Sequence, residues 1–239
     1  MRSGTCRRQN TAQPSPNAVA NAMPPRVNRA KGSHEAPKYH AIPVRTVENI
    51  QKVFPDLIRG GRLKVLRQDN AGPGASRNFG LAAARGEFVT YLDSDDVFLD
   101  NHAAELIKPM MSDETVGVTY ADHVERWYSP EGNVLREKSG PLRAVDPIQL
   151  RYKNLIPIMF MHRKCLVEHV GVFDTDRLGL EDWDFLMRLS EVSRLHWVPA
   201  VTAIWRHLSD ISITGTLQGD LRESKYQGVL KRAMQREMA

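Results

Sequence analysis

Five residues, Phe88 to Leu92, are apolar, aromatic or β-branched, and they run straight into Asp93, Asp95 and Asp96. The apolar run has the length and composition of a short buried strand. Three carboxylates at its end would cost several kcal/mol each if buried unpaired, so they must face water or hold a cation. In open α/β sheets, ligands collect just beyond the carboxyl ends of strands. The triplet is therefore a candidate site for Mg²⁺ or Mn²⁺, hard ions that take oxygen ligands and accompany substrate phosphates. A solvated acidic turn is the alternative reading of these residues alone.

The sequence on either side has the rhythm of an α/β domain. Val47, Ile50, Val53, Phe54, Leu57 and Ile58 fall at helical spacing, and Gly60-Gly61 ends that helix. Leu63 to Leu66 predicts a strand. Asn70 to Asn78 is a Gly-rich loop leading into a small-residue helix, Phe79 to Arg85. After the acidic triplet the spacing predicts a helix over His102–Met111 and a strand over Val116–Tyr120. Residues 122–142 read as a charged hairpin. An apolar stretch, Leu155–Met161, precedes a helix from about Arg163. Glu181-Asp182-Trp183-Asp184 opens another helix, and strands follow at Leu195–Val198 and Val201–Arg206. A charged amphipathic helix closes the chain over Asp220–Met238. Strand–loop–helix–strand units in this order define the α/β class.

Charge is unevenly placed. Residues 1–39 carry seven Lys/Arg against one acid, which leaves 26 basic and 27 acidic residues in the remainder of the 239. The net charge of +5 thus belongs to a proline-rich tail that reads as disordered, and the folded part gives no argument for a nucleic-acid partner. That tail could still meet anionic lipid as a peripheral membrane contact. Two cysteines, Cys6 and Cys165, offer neither zinc spacing nor a disulfide framework. No apolar run is long enough for a transmembrane helix and no signal-peptide core follows Met1, so the sequence reads as cytoplasmic.

Three clusters carry chemistry. Arg77-Asn78 follows the loop of Asn70 and Gly72, where backbone can approach a ligand closely and a guanidinium can pair with phosphate; a plain turn and helix cap also fits. The acidic triplet is the second. The third is Glu181-Asp182, where a helix N-terminus favours carboxylates and one of the pair could serve as general base for a hydroxyl; the pair could equally just cap the helix. Trp183 could offer a face to a sugar or pack in the core. His207 could ligate a metal or sit as an ordinary histidine.

Taken in register, Gln68-Asp69-Asn70-Ala71-Gly72, Ser76-Arg77-Asn78-Phe79-Gly80, Ala84-Arg85-Gly86-Glu87-Phe88 and Leu92-Asp93-Ser94-Asp95-Asp96 resemble family 2 glycosyltransferases of the GT-A fold. Gly171-Val172-Phe173-Asp174, Glu181-Asp182-Trp183-Asp184 and Trp205-Arg206-His207 continue the likeness in the family's order. The resemblance covers roughly residues 46–214. It implies a Rossmann-like mixed α/β sheet and metal-dependent, inverting transfer from a UDP-, GDP- or dTDP-sugar to a saccharide or lipid-linked acceptor. Work in cell-wall or polysaccharide biosynthesis, in the cytoplasm or at the inner membrane face, goes with it. By that resemblance Asp95, Asp96 and His207 hold Mg²⁺ or Mn²⁺, while Asp93, Arg77, Asn78, Asn70 and Gly72 hold the donor. Asp182, supported by Glu181, deprotonates the acceptor, and Trp183 faces it.

Members of this family begin with a strand, a helix and a second strand ending in an acidic turn. Before Thr46 this chain has only the proline-rich tail, so the expected sheet lacks its first strands. Residues 1–45 read as a mis-set or frame-shifted start, residues 40–219 as a partial GT-A domain and residues 220–239 as an appended helix. A non-catalytic binding remnant is the alternative function. A phosphatase of the haloacid-dehalogenase type, with Asp93 as nucleophile and Asp95 as acid/base, is a further one.

Overall fold

Val116 to Tyr120 is the spine of the sheet, because every one of its residues is buried and both its faces are covered. The computed structural model describes residues 52–139, 144–175, 180–208, 226–232 and 235. Within them the strands are β1 (Phe88–Thr90), β2 (Val97–Phe98), β3 (Val116–Tyr128), β4 (Val134–Ser139), β5 (Met161–Arg163) and β6 (Arg194–Leu208). The helices are α1 (Pro55–Arg59), α2 (Pro73–Ala83), α3 (His102–Ser112), α4 (Val167–Val170) and α5 (Glu181–Val192). The strand order is β1-β5-β3-β6-β2. β3 and β6 run parallel over their whole length, and every other pair is antiparallel. One edge of β3 serves β5 at Val118–Thr119 and then β4 from Val124 onward.

Two apolar clusters clamp this mixed sheet. On one side Leu106 and Met110 of α3 press on Val116, Met161 and Val198. On the other, Trp183, Phe185, Leu186 and Leu189 of α5 meet Val118, Tyr120, Phe160 and Phe173. Residues 226–232 are helical, and Val229, Tyr226 and Leu230 join the α5 cluster, with the Tyr226 ring 4.9 Å from Trp183. This part of the predicted terminal helix thus covers the domain's own core.

Several element boundaries differ from the sequence expectation for identifiable reasons. The helix predicted from Thr46 is described only from residue 52, and it is reset at Phe54, where Pro55 takes the first helical position and needs no N–H partner. Pro73 does the same for α2, which begins six residues before the predicted Phe79. Leu63 to Leu66 forms no ladder, since no strand among the described residues lies beside it, and β1 stands at the sheet edge. The two strands predicted near the C-terminus are one, β6. Its pairing with β3 passes from Ala121↔Val198 to Asp122↔Val201, a bulge that accommodates Pro199 without a lost ladder bond. The tail of residues 1–39, residues 40–51 and all of 209–225 lie outside the described residues.

Gly117 marks where α5's C-terminal turn meets the spine. A Cβ there would stand 2.3 Å from Ser193 Cβ and 2.8 Å from Leu166 Cδ1. Gly117→Ala is therefore expected to destabilise the fold by about 2 kcal/mol through overpacking, read as a lowered urea midpoint at unchanged slope. An unchanged midpoint would show that Ser193 can move aside freely.

Candidate functional site

The site begins in the loop before α2. Gly72 takes φ +90°, a left-handed conformation natural to glycine. Its N–H donates to Asn70 Oδ1 at 3.1 Å, and its carbonyl accepts from Ser76 Oγ at 3.1 Å. Asn70 and Gly72 thus shape the loop itself. One residue into the helix, a Cβ on Gly74 would lie 2.4 Å from the Asp174 carbonyl oxygen, so only glycine lets α2 sit this close to that segment. Asn78 locks the same junction: its Nδ2 donates to Phe173 O and its Oδ1 accepts from Phe173 N–H, both at 2.9 Å. The side-chain amide expected to meet the donor is engaged at both ends by backbone.

With α2 so fixed, Arg77 is aimed at two carboxylates from distant parts of the chain. Nη2 donates to Asp93 Oδ1 and Oδ2 at 2.9 and 3.0 Å, and Nη1 donates to Glu181 Oε1. The Arg77 side chain is only 11% exposed. Burial pulls its pKa down, and the charges of Asp93 and Glu181 more than reverse this, so it stays cationic. Asp182 lies beside the pair, with Oδ1 accepting from Trp183 N–H at 2.8 Å. Burial and then the neighbouring Glu181 charge push Asp182 up to about 6. A carboxylate poised there can exchange a proton near neutral pH.

The acidic turn closes on itself through Asp96 N–H to Asp93 O at 3.1 Å. It is clamped from β6: Arg206 N–H donates to Asp96 Oδ1 at 2.9 Å, and Arg206 Nε donates to the Asp95 carbonyl. One carboxylate oxygen from each of Asp93, Asp95 and Asp96 lies within 4.8 Å of the others. Burial is the main cause that lifts Asp96 to about 7, with the charges of Asp95 and Asp93 adding to it. Among the described residues no side chain or N–H bonds the Asp95 carboxylate. Three hard oxygen donors, one of them desolvated and carrying a raised pKa, fit a divalent cation.

The structure therefore brings Arg77, Asp93, Glu181 and Asp182 together, with Asp95 and Asp96 on the adjoining turn. Two expected residues lie elsewhere. Trp183 is fully buried, its Nε1 donating to Leu150 O at 2.6 Å, so its ring packs the core and cannot meet an acceptor in this conformation. His207 turns away from the triplet: its ring stacks on Trp127 at 4.5 Å and its Nε2 lies 3.2 Å from Glu125 Oε2. Asp93 is gripped by both its oxygens, which is unlike the unencumbered nucleophile that a phosphatase needs. Two residues that sequence reasoning passed over are central here. Gly74 was visible as the second glycine around Pro73, and Arg206 stood in the Trp205-Arg206-His207 run, where the imidazole drew attention as the more familiar ligand.

Comparison with known proteins gives the family and the fold. The family model for glycosyl transferase family 2 matches residues 43–169, more than half of the chain. The chain belongs to that family. An uncharacterized glycosyltransferase of Bacillus subtilis (strain 168), YwdF, is 28% identical over 141 residues, covering 58% of this chain and 52% of that protein. The chain thus spans about half the length of that relative. S. aureus TarS 1-349 in complex with UDP-GlcNAc superposes with a TM-score of 0.53 at 18% identity, covering 80% of this chain and 59% of that one. GalNAc-T7 with UDP, GalNAc and Mn²⁺ gives a TM-score of 0.52 at 17% identity, covering 80% and 40%. The fold is the GT-A fold of these glycosyltransferases. No helix among the described residues is long and apolar enough to cross a membrane.

The raised pKa of Asp96 makes a signed prediction. An aspartate that titrates near 3.8 when free and at about 7 when folded binds its proton more tightly in the folded state. Its contribution is therefore most favourable below about pH 4 and worsens as pH rises toward 7. Asp96→Asn keeps the acceptor for Arg206 N–H and removes the charge. In chelator at pH 7.5 it is expected to melt about 4 °C above the parent, the gap narrowing as pH falls and closing near pH 4. Saturating Mn²⁺ should raise the parent and not the variant. A pH-independent gap would show that Asp96 is already charged without penalty.

Proposed function

We propose that this chain transfers a sugar from a nucleotide-diphosphate donor to an acceptor hydroxyl, with inversion at the anomeric carbon. The observation that carries the reading is the Arg77 bridge, which joins the acidic turn to the N-terminus of α5 in one site. Family membership and the fold support the same activity. Asp182 takes the proton as the acceptor oxygen attacks the anomeric carbon, and the bond from that carbon to the diphosphate oxygen breaks with its electron pair on the leaving group. Glu181, held in place by its ion pair with Arg77, puts a negative charge beside Asp182 and keeps it basic enough to accept that proton. Arg77 also fixes Asp93 for its part in the metal site. Asp93, Asp95 and Asp96 would hold a divalent cation, which would neutralise charge on the leaving diphosphate.

The structure of TarS with UDP-GlcNAc favours a uridine donor as the first to test, ahead of GDP- and dTDP-sugars. Residues 40–219 are the transferase unit of this reading, with residues 1–39 as a basic extension and residues 220–239 as a C-terminal segment whose described part, 226–232, packs on the core. The acceptor is a saccharide or a lipid-linked precursor in polysaccharide synthesis, met in the cytoplasm or at the inner membrane face.

Two substitutions separate binding from chemistry. UDP binding, followed by calorimetry, is expected to need Mn²⁺ or Mg²⁺ and to weaken at least tenfold in Asp95→Ala. Asp182→Asn is expected to bind UDP as the parent does and to lose turnover by about 100-fold or more. In the parent, turnover should fall about tenfold per pH unit below about 6, as Asp182 takes up its proton. A folded protein that binds no UDP overturns the reading. UDP binding with no turnover of any donor favours the non-catalytic remnant, for which the edge position of β1 among the described strands is the structural motive.

A further inference from the structure

The acidic turn hangs between two strands that the sheet does not bring together. β1 has three residues and β2 two, and none of the five is fully buried. In the strand order they stand at opposite ends, β1 paired with β5 and β2 with β6. Strands this short define a position weakly. Arg77 grips Asp93 and Arg206 clamps Asp95 and Asp96, but neither arginine ties one strand to the other. Three carboxylates with an oxygen each within 4.8 Å of the others repel, which spreads the turn whenever no cation lies between them. The spacing of these donors needs a brace between the two strands.

His102 is placed to be that brace. It is the first residue of α3 and 2% exposed, and its ring stacks on Phe98 of β2 with centroids 3.6 Å apart and planes 13° from parallel. Its two nitrogens take one threonine each. Nδ1 lies 3.0 Å from Thr202 Oγ1 of β6, and Nε2 lies 3.4 Å from Thr90 Oγ1 of β1. Thr90 Oγ1 donates in turn to Phe160 O at 3.0 Å, one residue before β5. One imidazole thus joins β1, β2 and β6, the strands that carry the turn and its clamp. Burial pulls its pKa down to about 4, so at neutral pH the ring is uncharged. It then offers one donor and one acceptor, which the two hydroxyls match. The start of α3 is seated on the same strand: Asn101 Nδ2 donates to Val201 O at 3.2 Å and Leu99 N–H to Thr202 O at 2.9 Å. An apolar side chain could pack on Phe98, but it could not hold both threonines.

We propose that His102 is a positioning residue for the cation site. It sets the distance between the strand that enters the acidic turn and the strand that leaves it, and with it the spacing of the Asp93, Asp95 and Asp96 carboxylates. The proposal rests on the cation site of the glycosyl-transfer reading above. His102 acts through Thr90 and Phe98, so the donors are ordered before the cation arrives. A cation that meets ordered donors binds more tightly, because less conformational freedom is lost on binding.

Two measurements on the full chain test it. In chelator, hydrogen exchange of the amides of residues 95–98 is expected to speed up in His102→Leu about tenfold more than that of residues 118–120. Binding of Mn²⁺ alone, followed by electron paramagnetic resonance well below the melting temperature, is expected to weaken about tenfold. Thr90→Val keeps the side-chain shape and loses the hydroxyl; it is expected to show both changes in smaller measure, and it carries the test if the leucine variant does not fold. His102→Gln, with one donor and one acceptor, is expected to recover part of the loss. Gly117→Ala is the control: it lowers stability away from the turn and leaves Mn²⁺ affinity within twofold of the parent. Mn²⁺ binding at the parent's strength in both His102→Leu and Thr90→Val overturns the proposal and leaves the transferase reading standing. A folded parent that takes up no Mn²⁺ alone also overturns it, while the UDP titration above decides the transferase reading separately.

Discussion

Everything at the site depends on one guanidinium. Asp93, Asp95, Asp96, Glu181 and Asp182 would repel one another: two like charges about 4 Å apart at an effective dielectric of about 20 cost roughly 4 kcal/mol. Arg77 sits among them and pairs two of the five directly, from positions 16 and 104 residues away in sequence. The arrangement is one-sided by design, since the remaining negative charge is what a cation requires. Arg206 handles the other half of the problem through its backbone N–H and its side chain, leaving the Asp95 carboxylate clear. Removing Arg77 would leave Glu181, itself only 11% exposed, as an uncompensated buried charge.

The sheet exists to hold those two arginines in place. Arg77 is placed by α2, whose approach to residues 173 and 174 depends on Gly74 and on the paired bonds of Asn78. Arg206 is placed by β6, which runs parallel to β3 and reaches β2 at Val97↔Ile204 and Phe98↔Ala203. The bulge at Pro199 sets which face of β6 each later residue takes, because a shift of one residue in a strand exchanges its two faces. Trp205 and His207 share a face with Glu125 and Trp127 as a result. The same constraint that brings Arg206 to the acidic turn gives the ribbon its row of aromatic rings.

Much of this was legible in the chain itself. A five-residue apolar run ending in acids announced a strand and a charged turn, and Glu181-Asp182 announced a helix start. The roles of single side chains were less legible. Trp183 looked like a sugar platform because it follows two acids, yet position three of a helix whose opposite face carries those acids is the position that packs inward. Asn78 looked available because Arg77 beside it was. His207 looked like a ligand because nothing in sequence shows Trp127, 80 residues away, stacked on it.

The sequence by itself determined the class of fold, the acidic turn and the family, because these rest on local patterns of apolar residues, glycines and acids. Only the tertiary structure decided who partners whom. Arg77 is held by Asp93 and Glu181 and Arg206 by the acidic turn, and each of these facts joins residues far apart in the chain. The physical reason is that charge pairing, burial and hydrogen-bond satisfaction are set by distance in space, which a local pattern along the chain does not encode.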